Sequence, residues 1–131
     1  MLLPEPIKDV FLNEHCHQLG TCSKDGIPNI CYVGAKFLTE DGKIVIVDNY
    51  MLKTKDNVLE NPNVSLLMRR EKEAYQLKGH CTYLTEGALF EEARTWMKAK
   101  GEKYPAKGAL VIEVEEIYNS KAGDQAGQRI C

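Results

Sequence analysis

The stretch NYMLKTKDNVLENPNVSLLMR, residues 49–69, decides the fold. It follows KIVIVDN (43–49), which is dense in β-branched residues, as a buried strand requires. A short helix over 54–60 ends at Asn61-Pro62, because proline lacks a backbone donor and pushes the preceding residue out of the helical region. A further strand, VSLLMR (64–69), begins at once. The strand-to-helix junction carries Lys53 and Thr54. Thr54 is placed to cap the helix, and the free N–H groups of a first turn face the same space as both side chains. A phosphate there would meet an ammonium charge, a hydroxyl and the positive end of the helix dipole together. Lys55 adds to that field, Asp56 offsets part of it, and Asn57 can bond a ligand or reinforce the cap. Lys-Thr-Lys-Asp is also an ordinary solvated first turn, so these residues alone leave both alternatives open.

Working outward, Ile7, Val10 and Phe11 recur at helical spacing after Pro4 and Pro6, which predicts a short first helix. Lys24-Asp25-Gly26 is a hairpin turn between two strand-like runs in QLGTCSKDGIPNICYVGAKF, and Thr39 to Gly42 makes the next turn. Ala74 to Leu84 alternates as a long strand, with Gly79 marking a bulge or a close backbone contact. Thr85 is an N-cap candidate for a helix running to Lys100, with Leu89, Ala93, Trp96 and Met97 on its apolar side and Gly101 as its stop. ALVIEVEEIY (109–118) is the last strand, and the polar tail 119–131 is expected to be mobile unless a partner holds it. The expected architecture is one domain over 1–131, mainly β, with six antiparallel strands curled into a barrel and about three short helices.

Composition excludes several function classes. The 17 basic and 19 acidic residues give a net charge of −2, and the four arginines form no tract, which argues against nucleic acid or an anionic membrane as partner. No apolar run approaches the ~20 residues of a membrane helix. The N-terminal MLLPEPIKDVF, broken by two prolines and by charge, does not read as a signal peptide. Five cysteines without a CxxC pair suit free thiols in a reducing compartment, so a cytoplasmic location is expected. His15-Cys16-His17 lacks a second cluster to complete a metal site and is expected to be structural. GxGxxG and Walker sequences are absent.

Nearly the whole chain resembles the pyridoxamine 5'-phosphate oxidase-like family of FMN-binding split-barrel flavoproteins. The sharpest part is Asn49-Tyr50, then Lys53, Thr54 and Leu59, then Glu60-Asn61-Pro62 leading into Val64-Ser65-Leu66. The resemblance implies a split β-barrel and places the FMN phosphate at Lys53. Thr54 stands where the small FMN-binding members often carry threonine. It puts the backbone of the loop Val47, Asp48 and Asn49 beside the isoalloxazine and ribityl chain, and Ile30, Cys31, Tyr32 and Val33 on the strand passing the ring. Leu52 and Asn57 complete the implied cofactor set around the anchor, with Trp96 near a partner subunit. From the sequence alone, Trp96 is first an aromatic on an apolar helix face. Gln76 stands where the oxidases carry an arginine.

Asn29 to Val33 replaces the oxidases' RxVLLK-like strand, and KAGDQAGQRIC has no counterpart of their substrate-phosphate arginines. Vitamin B6 oxidation is therefore not expected. The resemblance implies a homodimer with flavin sites at the subunit interface, acting as an oxidoreductase or electron carrier that takes electrons from a nicotinamide or protein donor. The alternatives are a non-catalytic flavin-binding or storage protein, or a fold relative using deazaflavin or haem. No side chain is assigned as a catalytic acid or base, and no metal ligand is assigned.

Overall fold

The computed structural model describes residues 1–131. In chain order the elements are α1 (Glu5–Asn13), β1 (His17–Cys22), β2 (Pro28–Val33), β3 (Lys36–Leu38), β4 (Ile44–Asp48), α2 (Lys53–Glu60), β5 (Asn63–Arg70), β6 (Glu73–Leu84), α3 (Ala88–Lys100) and β7 (Gly108–Asn119). The strands form one antiparallel sheet in the order β2-β1-β5-β6-β7-β4-β3, an open half-barrel.

There are seven strands, not the expected six, because Gly34 and Ala35 divide one apolar run between two partners. Before them, β2 pairs with β1; after them, β3 pairs with β4. These strands are the opposite edges of the sheet, yet only two residues join them. Three Cα–Cα steps reach at most about 11 Å. The sheet must therefore curl until its edges nearly meet, and the gap is a split beside residues 34–35. The edges are not hydrogen-bonded to one another, so the barrel is not closed.

β4 shows how the sheet is covered. All five of its residues are buried. Ile44 and Ile46 enter the barrel core with Phe11, Leu19, Leu66, Met68 and Leu110. Val45 and Val47 face the other way, against Phe90, Ala93 and Met97 of α3. A strand apolar on both faces is what the sequence 44–47 encodes.

Gly79 sits at the anticipated irregularity: the register between β6 and β7 shifts between Lys78 and Gly79. Glu115 is the extra residue, since Lys78 pairs with Glu116 and Gly79 with Val114. A Cβ at Gly79 would lie 2.0 Å from the carbonyl oxygen of Glu113, so the close approach requires glycine. The bulge keeps Val114 and Ile117 both buried.

Two helix starts differ from expectation. α2 begins one residue earlier, with Leu52 at the N-cap and no side-chain cap, so Thr54 lies inside the first turn. α3 begins after Gly87, whose φ of 97° breaks the chain where Thr85 was expected to cap. β4 pairs with β7 only as far as Ile112, which leaves the rest of that edge open. The Met1 ammonium bonds to the Val114 carbonyl there at 3.2 Å. The tail, expected to be mobile, runs back along the same edge, where the Asn119 and Ile130 N–H groups donate to the Gln128 and Ile117 carbonyls.

Candidate functional site

The split holds a crevice of 420 Å³, a size suited to a small-molecule ligand. One wall is β2 and the bend after it, Asn29 to Ala35; the other is Val47 and the loop Asn49 to Thr54. Of the residues expected around a cofactor, Ile30, Cys31, Tyr32, Val33, Val47, Asn49, Leu52, Lys53 and Thr54 all line it. Asp48, Asn57 and Trp96 do not.

Strand alternation and hydrogen bonding explain where those three go. Asp48 shares the face of Ile44 and Ile46 and is fully buried. Its carboxyl group accepts from the Tyr83 hydroxyl at 2.6 Å and from the Met51 N–H at 2.9 Å, which fixes the loop leading into α2. Burial, reinforced by the bond to Asp48, pushes the Tyr83 hydroxyl well above the usual tyrosine range. A Cβ at Gly108 would lie 2.3 Å from the Tyr83 ring, so glycine there lets Tyr83 reach Asp48. Asn57 turns inward and donates to Thr21 Oγ1 at 3.0 Å. Trp96 packs on Phe37 with ring centroids 5.2 Å apart and borders a second cavity of 710 Å³. The two cavities share Gly34, Ala35, Asn49 and Tyr50 as a common rim.

At the α2 end of the crevice the Lys53 side chain is exposed and has no acidic partner. The first N–H of the helix with an acceptor is that of Asp56, bonded to the Leu52 carbonyl at 3.1 Å. Those of Lys53, Thr54 and Lys55 have none. One ammonium group and a turn of free N–H donors therefore stand at the mouth of a mostly apolar groove. The Thr54 hydroxyl is directed inward: it donates to Cys31 Sγ at 3.3 Å and accepts from Asn29 Nδ2 at 3.1 Å. Its only proton is committed to sulfur, so Thr54 offers an outside anion its backbone N–H.

Asn49 fixes the floor between the two cavities. Its Oδ1 accepts from the Ala106 N–H at 3.0 Å, and its Nδ2 donates to Met97 Sδ at 3.4 Å. Lys36, not singled out from the sequence, lines the second cavity. Its Nζ donates to the Glu14 carbonyl at 2.9 Å and lies 5.5 Å from the Phe11 ring centre, and burial lowers its pKa. Its position just past the Gly34-Ala35 break was the available signal. Ile30, Tyr32, Tyr50 and Leu52, at 66%, 73%, 73% and 75% exposure, form an apolar lip around the crevice.

Residues 3–121 match the family described as pyridoxamine 5'-phosphate oxidase. An uncharacterised protein of Methanocaldococcus jannaschii is 44% identical over 116 residues, covering 86% of this chain and 78% of that protein. Among solved structures, HupZ of Group A Streptococcus superposes with a TM-score of 0.82 at 27% identity, covering 96% of this chain and 100% of that one. An FMN-binding protein from Syntrophomonas wolfei gives 0.78 at 17% identity, with coverages of 91% and 86%. HutZ, the haem storage protein of Vibrio cholerae, gives 0.71 at 15% identity, with coverages of 92% and 97%. The last two are likenesses of fold.

Proposed function

The chain belongs to the pyridoxamine 5'-phosphate oxidase family, and on that premise we propose that it is a flavoprotein holding FMN in the crevice at the split. The observation that carries this is the α2 junction, where Lys53 and Thr54 line the groove at a helix start whose first three N–H groups are unpaired. That donor set fits a phosphate dianion, and the Val33, Ala35, Val47 and Met51 walls fit an apolar ring system. The FMN-binding protein of Syntrophomonas wolfei, which shares the fold, supports the assignment.

In this account Lys53 and the Thr54 N–H hold the phosphate, and Asn49, locked by Ala106 and Met97, keeps the crevice floor in place. Bound FMN would supply the electron- and hydride-transfer chemistry of an oxidoreductase or electron carrier. The apolar lip of Ile30, Tyr32, Tyr50 and Leu52 calls for a cover, and a second copy of the chain supplies it, giving a homodimer with the flavin at the interface. A nicotinamide or protein partner would deliver electrons. Five free thiols and the absence of any helix long and apolar enough to cross a membrane fit a cytoplasmic location.

One observation favours a second reading, flavin or haem storage without turnover. No Asp, Glu or His lines the crevice, so the lining offers no carboxylate or imidazole for proton transfer. HutZ, a storage protein, has this fold.

An absorbance spectrum of the purified protein tests the assignment, with a band at about 450 nm expected from bound flavin. A colourless protein that takes up no added FMN would overturn it. Reduction of the bound flavin by a nicotinamide or protein donor supports the oxidoreductase; a flavin that no donor reduces favours storage. Light scattering should give twice the chain mass.

A further inference from the structure

Beneath α2 lies a set of polar side chains that no ligand needs to touch. Thr21, on β1, is 5% exposed, and its Oγ1 accepts from Asn57 Nδ2 at 3.0 Å and from Asn29 Nδ2 at 3.3 Å. Asn29 also donates to Thr54 Oγ1, and Thr54 in turn donates to Cys31 Sγ. One hydroxyl thus ties three elements together: β1 through its own backbone, β2 through Asn29 and α2 through Asn57. Asn29, Cys31 and Thr54 border the crevice, whereas Thr21 and Asn57 do not.

We infer that Thr21 and Asn57 are positioning residues for the phosphate end of the crevice, acting by fixing the direction of the α2 N–H groups. The inference rests on the FMN assignment above. α2 has eight residues and buries only Thr54 and Val58, so apolar packing constrains its rotation weakly. Hydrogen bonds to an anion weaken steeply with misalignment, and a small tilt of the first turn affects all three free N–H groups together. Removal of the Thr21 hydroxyl leaves the Asn57 amide without its acceptor and Asn29 with only Thr54. The helix start then loses its tether while the apolar walls, built on Val33, Ala35 and Val47, stay as they are.

The chemistry of the ligand separates the two roles. Riboflavin carries the ring and ribityl chain of FMN without the phosphate, so it reads the walls and not the helix start. Titration of the full chain with each flavin should show a Thr21→Val variant binding FMN about tenfold more weakly than wild type, with riboflavin affinity unchanged. Thr21→Ser, which keeps the acceptor, restores FMN binding. Should Thr21→Val fail to fold, Asn57→Ala on the half-buried face of α2 gives the same split. Equal losses for both flavins, or no loss for either, overturn the inference while leaving the FMN assignment standing. A wild-type chain that takes up neither flavin overturns both.

Discussion

α2 stands at the mouth of the crevice, α3 borders the second cavity beside it, and the two helices are held by different forces. α3 is 13 residues long and presses Phe90, Ala93 and Met97 onto Val45 and Val47 of β4, with Leu89 and Trp96 partly buried beside them. α2 is eight residues long and is oriented by the bonds of Thr54 and Asn57 to β1 and β2. Burial is strong and non-directional; hydrogen bonds are weak in net terms and directional. The long helix therefore supplies stability, and the short one supplies aim at the point where an anion would bind.

Breaking the apolar side should produce the largest effect. Phe90→Ala removes a buried ring from under α3 and should cost about 3–5 kcal/mol in denaturant unfolding. A loss under about 1 kcal/mol would show that α3 is held by something other than burial. On the polar side, Lys53→Ala should weaken FMN by roughly 1.5–3 kcal/mol, ten- to a hundredfold or somewhat more, with little change in unfolding. Unchanged affinity would mean the phosphate is held elsewhere. Tyr83→Phe joins the two regions, because Tyr83 fixes Asp48 and Asp48 fixes the loop into α2. Asp48 keeps one partner in that variant, so the expected loss is about 1–2 kcal/mol of stability, read by the same unfolding experiment.

The smallest effect belongs to a third region, the corner between α1 and β1. His17 is fully buried, stacks on Phe11 at 5.5 Å, and donates from Nε2 to the Phe11 carbonyl at 3.0 Å. Its Nδ1 has no partner, and burial, aided by Lys36, holds its pKa below the ordinary 6.5 against the opposing pull of the Phe11 carbonyl and Glu14. The unfolded chain therefore takes up this proton first as pH falls. The stabilisation is complete above about 6.5 and declines as pH drops from there toward the lowered folded value. Melting temperature should fall across that window in wild type and vary less in His17→Leu. An equal slope in the two would assign the loss to other groups, with Asp9, held low by Arg70, acting at more acid pH.

Much of this was legible in the sequence because it rests on local rules. The turns at 24–26 and 39–42, the end of α2 before Pro62, the bulge at Gly79 and the stop at Gly101 all follow from residues acting on their own neighbourhood. The misses are matters of long-range pairing. Gly34-Ala35 reads as a pause within one strand until it is known that the halves pair with β1 and β4 at opposite edges. The inward turn of the Asp48 side chain is set by Tyr83, distant in sequence. The Thr54 hydroxyl is turned inward by Cys31 and Asn29, which no helix-start rule contains. Pairing of the tail with Ile117 and Asn119 depends on β4 ending early against β7.

Titration of the wild-type chain with FMN and with riboflavin, followed by flavin fluorescence, tests the account most directly. FMN should bind at least tenfold more tightly, because only it presents a phosphate to Lys53 and the open N–H groups of α2. Equal affinity for the two flavins, or binding of neither, would contradict the account.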